Sequence, residues 1–169
     1  MATDSSSTEY RDRLYLAWED GNGPEGQRIL FAFSQDTGKT WVGPTILSEQ
    51  PTEAEADYSA YMPTISVNKD GAVAVTWCDR RGLPNVASTV YGRRYPMGCN
   101  VRFRVSLDGG ETWQPSVQVN EKTIQASVKE LRDTMGLASD AAGAFHPVWI
   151  DDRTGTLQVW TATVRVQNR

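Results

Sequence analysis

The stretch Ser34-Gln35-Asp36-Thr37-Gly38-Lys39-Thr40-Trp41 recurs 72 residues later as Ser106-Leu107-Asp108-Gly109-Gly110-Glu111-Thr112-Trp113, and both copies fit Ser-x-Asp-x-Gly-x-Thr-Trp. The Asp of such a turn can accept backbone N–H bonds, the Gly can take a positive φ, and the Trp can fold back as an apolar plug. Ser34, Asp36, Gly38, Trp41, Ser106, Asp108, Gly110 and Trp113 are therefore expected to shape hairpins. A second recurrence is interleaved with the first: LAWEDG ends at Gly21, VTWCDRRG at Gly82 and PVWIDDRTG at Gly155.

Between these marks the chain reads as short strands joined by turns. Residues 13–18, 72–78 and 144–150 are apolar runs without clear alternation, the pattern of strands covered on both faces. Residues 29–34, 101–106 and 157–164 follow, richer in Phe, Val, Thr and Arg, and each is expected to pair antiparallel with the run before it. Residues 41–47 and 113–119 have the polar, proline-tolerant character of edge strands, and 62–67 and 133–139 fit inner strands followed by turns at 68–71 and 140–143. Lettered A to D outward, the order is B, C, D, then A, B, C, D, then A, B, C, which makes ten strands in about three modules. The first lacks an evident A and the third an evident D. Four-stranded antiparallel modules repeated radially are the propeller pattern. The expected fold class is all-β: a β-propeller of four-stranded antiparallel blades, about three of them over residues 13–169. Residues 1–12 are polar and Ser/Thr-rich and are expected to be a flexible leader.

With 39% hydrophobic residues, six Trp and six Tyr, the chain can bury a core of its own. Its formal charge of −4 removes the long-range attraction on which non-specific nucleic-acid binding relies, so nucleic acid is not an expected partner. No apolar run is long enough for a membrane span, and the N-terminus has no apolar signal-peptide core. Two cysteines beside a single His146 make no metal-binding array, and neither a metal nor a cofactor is expected. Cys78 and Cys99 either form a disulfide closing about 20 residues, worth roughly 3 kcal/mol, or remain two buried thiols.

At the Ser-x-Asp-x-Gly-x-Thr-Trp turns the chain resembles the Asp-box, or BNR-repeat, proteins, whose best-known members are the sialidases. The resemblance extends from about Arg13 to Val166 and implies C–D turns on one face of a propeller, with the B–C and D–A loops opening on the other, where these families place their ligands. It also implies six blades, so this chain would supply half a ring and close it as a homodimer. Sialidases use an arginine triad, a Tyr/Glu nucleophile pair, an Asp acid and an early Arg-Ile-Pro motif; no Arg-Ile-Pro occurs here. The full-length parent is expected to be secreted or on the cell surface.

On that ligand face the candidate carboxylates are Asp79 and Asp151 in B–C loops and Asp57 and Asp133 in D–A connections, because glycoside hydrolysis generally uses two carboxyl groups. Asp20 joins them at the mouth. The alternative is that these Asp residues tie down turns or pair with neighbouring arginines. Six of the chain's 13 arginines lie between Asp79 and Arg104, against one acidic residue. Within this stretch residues 82–98 are expected to form a long lid loop. Arg80, Arg81, Arg93, Arg94 and Arg153 suit carboxylate or sulfate recognition, Tyr91 and Tyr95 could contact a sugar ring, and Asp152 completes the candidate set. His146 is expected to be a packed core histidine. The leading functional expectation is a carbohydrate-directed module, a glycoside hydrolase of exo-sialidase type if catalytic, with a glycan or other acidic small ligand as partner. The competing expectations are a non-catalytic glycan- or protein-binding propeller and a fragment that only assembles into a ring.

Overall fold

The computed structural model describes residues 1–21, 27–49, 59–84, 86–90, 93–127, 131 and 135–167. They form three antiparallel sheets. In the first, β1 (Ala2–Thr3), β2 (Leu14–Asp20), β3 (Arg28–Ser34) and β4 (Val42–Ile46) lie in chain order. The second is built on β5 (Ala60–Val67), β6 (Val73–Asp79) and β8 (Arg93–Ser106), with β7 (Ala87–Val90), β9 (Val117–Gln118) and β10 (Ile124–Ser127) all pairing along β8. The third contains β11 (Gly136–Ser139), β12 (Phe145–Asp151) and β13 (Gln158–Thr161). The all-β, antiparallel expectation holds; no sheet closes on itself among the described residues.

The sheets stack face to face in chain order, which is why β6 is buried along its whole length. One face of β6 places Val73, Val75 and Trp77 against Tyr15, Ile29, Phe31 and Phe33 of the first sheet. Its other face contributes Ala74 to a cluster with Phe103 and Phe145, and Cys78 to one with Val101, Ile124 and Trp149. A strand covered on both sides carries no polar alternation, which explains the continuous apolar run read from sequence.

The two Ser-x-Asp turns fold alike. Gly38 N–H donates to Ser34 Oγ at 2.8 Å and Thr40 N–H to Asp36 Oδ1 at 2.8 Å. Gly110 N–H and Thr112 N–H make the equivalent bonds to Ser106 and Asp108, also at 2.8 Å. Positive φ occurs at Gly38 and Gly110, and also one residue earlier at Thr37 (59°) and Gly109 (68°). Trp113 plugs the space between the first two sheets, edge-on to Phe31 at 4.8 Å. Trp41 stays 39% exposed, because no described sheet lies where it would wedge.

Four expectations change. The opening residues are part of the fold: Ala2 and Thr3 pair with Tyr15 and Leu14, giving the first sheet its inner strand. Asp4 is buried and accepts the Ser6 and Ser7 amides at 3.0 and 2.9 Å, so a polar run that reads as a leader is a turn organised by one carboxylate. The lid is a hairpin, because β8 runs 14 residues and pairs β7 in register from Ala87↔Pro96 to Val90↔Arg93. The outer strand of the second sheet shrinks to β9, and β10 takes up another part of β8, with Ile124 opposite Cys99.

Candidate functional site

At the end of the sheets opposite the Ser-x-Asp turns, β2, β6 and β12 finish in Trp-x-Asp. In β6 the Asp79 carboxylate is 2% exposed and receives Trp77 Nε1–H at 3.0 Å, Arg81 N–H at 2.9 Å and Arg81 Nε–H at 3.0 Å. In β12, Asp151 is fully buried and receives Trp149 Nε1–H at 3.4 Å, Arg153 N–H at 2.9 Å and Arg153 Nε–H at 2.8 Å. Burial would raise the Asp151 carboxyl, but its Arg153 and Trp149 partners outweigh that and hold it below the ordinary range. Each carboxylate is thus engaged by its own turn, an arrangement that fixes the turn and aims a guanidinium. Asp20 differs: its partner is Arg28, at 2.6 Å.

Each aimed guanidinium reaches the preceding module. Arg81 Nη1 meets Glu49 Oε2 at 2.9 Å, and Glu49 also accepts Ser116 N–H at 2.8 Å and Ser116 Oγ–H at 2.6 Å. Arg153 Nη1 meets Glu121 Oε2 at a looser 3.8 Å, with its guanidinium 4.2 Å above the Trp160 ring. Glu49 and Glu121 occupy equivalent places just after the outer strands. Ser48 Oγ accepts Ile29 N–H at 3.1 Å, and Asn120 Oδ1 accepts Val101 N–H at 2.7 Å, in the same relation. These Glu residues were not among the sequence candidates; the signal that finds them is the 72-residue offset shared by Glu49/Glu121, Arg81/Arg153 and the Ser-x-Asp turns.

Arg80 points the other way and is fully buried. It donates to the Met97 carbonyl, to Gly98 O at 2.7 Å and to Pro84 O at 3.0 Å, closing the base of the β7–β8 hairpin. Cys78 and Cys99, both fully buried, form a disulfide at the same base with Cα atoms 5.6 Å apart. A groove of about 330 Å³ opens beside it, walled by Leu83, Pro84, Val86 and Met97 and bounded by Thr123 and Gln125. Asp152 accepts Gln125 N–H at 3.0 Å and so ties β10 to the third sheet. Nearby, Met62 takes φ 54° at a register shift in β5, its N–H held by Glu19 Oε2 at 3.1 Å.

Arg93, Arg94 and Tyr95 lie in β8 opposite Val90, Thr89 and Ser88, which puts them on the lid hairpin. Asp57, Asp133 and Tyr91 lie outside the described residues. His146 is not packed in the core: it lies on a partly exposed face of β12, with Nε2 2.9 Å from Asp140 Oδ2 and Nδ1 3.5 Å from Thr163 Oγ1. The described residues hold no cluster of three or more His, Cys, Asp or Glu suited to a metal ion. No described helix is long and apolar enough to cross a membrane. Compared with known proteins, the chain matches no family model and no curated protein.

Proposed function

We propose that the chain is a three-blade arc of a sialidase-like, Asp-box β-propeller and that it acts as a carbohydrate-directed module through the end formed by its B–C and D–A loops. The observation that carries this reading is the repeat in three dimensions: two Ser-x-Asp-x-Gly-x-Thr-Trp turns with matching hydrogen bonds at one end of stacked antiparallel sheets, and two Trp-x-Asp-x-Arg turns at the other. The second end carries Arg81, Arg153, Asp152 and the arginine-bearing hairpin, a composition suited to an acidic sugar. The buried disulfide supports an oxidising, secreted or cell-surface setting.

Exo-sialidase-type hydrolysis is the catalytic form of this reading, with Asp57 and Asp133 as its remaining carboxylate candidates. Glycan binding without bond cleavage is the second form, and one observation favours it: Asp79 and Asp151 are each engaged by a Trp and an Arg rather than presented to a ligand. The test is a panel of fluorogenic glycosides including a sialoside, run beside a glycan array. Turnover of the sialoside establishes the hydrolytic form, and array binding without turnover the lectin-like form. Absence of both turnover and binding at high protein concentration would overturn the carbohydrate assignment.

A further inference from the structure

The face of the second sheet that packs on the first carries arginines as well as apolar residues. Arg102 and Arg104 of β8 stand opposite Trp77 and Val75 in register, so they share the side on which those two pack against the first sheet. Arg81 reaches the same joint from beyond the end of β6, between Asp79, which stands opposite Asn100, and Glu49. Glu49 is held there by Ser116, two residues before Gln118, the β9 partner of Arg102. To connect those two carboxyls the Arg81 guanidinium must pass over Arg102. The third sheet repeats the geometry with a different residue: Trp160 stands opposite Trp149 as Arg102 stands opposite Trp77, and the Arg153 guanidinium lies 4.2 Å above the Trp160 ring. One joint sets a cation on an aromatic ring, and the other sets it beside a second cation.

Three guanidiniums thus share the joint between the first two sheets with the carboxyls of Asp79 and Glu49. Arg104 donates Nε–H to Gln114 O at 2.7 Å and Nη1–H to Leu47 O at 2.6 Å, both neutral acceptors. Burial and the Arg81 charge hold Arg104 below the ordinary arginine value, against the pull of Glu49. Two donors end without an acceptor: Arg81 Nη2 and Arg102 Nε are cut off from solvent and have no hydrogen-bond partner. A buried donor left alone is costly, and a buried charge without a counter-charge more so. An ordered water would satisfy the donors and leave the charge.

We infer that this joint binds a small inorganic anion of the chloride class, held between Arg81 Nη2 and Arg102 Nε and balancing the guanidinium charge that Asp79 and Glu49 leave unanswered. A spherical ion accepts from both donors and has no hydrogen of its own to satisfy. Arg102 is only partly buried, so its side chain can shift to admit the ion, whereas Arg81, with 16% of its side chain exposed, is too enclosed to receive a sugar ring. The ion ties the first sheet to the second, and its binding is independent of any glycan.

Thermal unfolding in chloride against gluconate, at a fixed ionic strength of about 0.15 M, tests it. Gluconate is too bulky for the joint, so replacing it with chloride should raise the wild-type midpoint by about 2–4 °C, saturating with chloride concentration. Arg102→Met, which keeps the apolar stem and removes one donor and one charge, should melt at the same temperature in both salts. The chlorine NMR line of the buffer should broaden in the presence of wild-type protein and narrow again when bromide competes for the same donors, a readout that needs no variant to fold. Equal wild-type midpoints in the two salts, a chloride response that survives Arg102→Met, or a chlorine line that the protein leaves unbroadened would each overturn the inference.

Discussion

Arg81 of the second sheet and Glu49 of the segment leaving the first meet at 2.9 Å; Asp79 aims Arg81 from its own strand, and Ser116, also of the second module, holds Glu49 across the joint. Arg153 repeats the reach toward Glu121, but Glu121 is 88% exposed and the contact is 3.8 Å. The two clasps have the same chemistry and unequal burial. Removing the charge by Glu49→Gln should therefore cost about 1.5–3 kcal/mol, the range for hydrogen bonds to charged groups. Glu121→Gln should cost less than about 1 kcal/mol, as exposed pairs do. Urea unfolding of both variants checks this, and equal losses would show that burial does not separate them.

Glu49 and the turn residue Asp36 contribute to the response to acid. Burial raises the Glu49 carboxyl, but the two Ser116 donors and Arg81 outweigh it and leave it below the ordinary Glu range. Asp36 is held at about 2, first by the Thr40 hydroxyl and then by the Thr40 amide. The unfolded chain binds protons at pH values where these folded carboxylates do not, so their contribution is complete above roughly pH 4–5 and is lost as pH falls through the folded values. Denaturant midpoints should be level from pH 7 to about 5 and then decline toward pH 2. A midpoint that rises on acidification would contradict this assignment.

Glycine tolerance should divide by surroundings. At Gly110, φ is 97° and an added Cβ would lie 2.7 Å from Phe31 Cζ, in a ring buried between two sheets. Gly110→Ala combines backbone strain with overpacking, and roughly 2–4 kcal/mol is expected. Gly82 has φ 69° with nothing within 4 Å of the added atom, so Gly82→Ala should cost only the strain, about 1 kcal/mol. Thermal unfolding of the pair measures the difference.

The parts of the fold that were legible in the residues are those fixed by burial on both faces or by a repeated turn. β6, β3 and the Ser-x-Asp hairpins fall within a residue or two of their expected places because Trp77, Phe31 and Gly110 have only one way to pack. The opening strand was not legible, since its order comes from Asp4 bonding to amides two and three residues on, which composition alone renders as polar loop. Asp79 and Asp151 stand out in the sequence as acids near a mouth. Their partners Trp77, Arg81, Trp149 and Arg153 adjoin them in the chain, but only the backbone turn shows the carboxylates engaged. The lid was misread as a loop for a related reason: its order depends on Arg80 and the disulfide at its base, contacts across 17 to 21 residues.

Arg80 should therefore control the hairpin without touching the Ser-x-Asp end of the molecule. Its guanidinium donates to the carbonyls of Met97, Gly98 and Pro84, and the hairpin base closes through Met97 N–H to Val86 O at 2.8 Å. Arg80→Met preserves length and apolar bulk while leaving those buried carbonyls without their donors, at a cost of about 1–3 kcal/mol. The disulfide still joins β6 to β8 in this variant, so the loss should concentrate in the lid. Hydrogen exchange at the Met97 amide should rise by one to two orders of magnitude, while Gly38 and Gly110 amides in the distant turns keep their protection. Arg80→Lys, which retains charge but lacks the planar fork, should fall between the two. Unchanged protection at Met97 in Arg80→Met would assign closure of the hairpin to the disulfide alone.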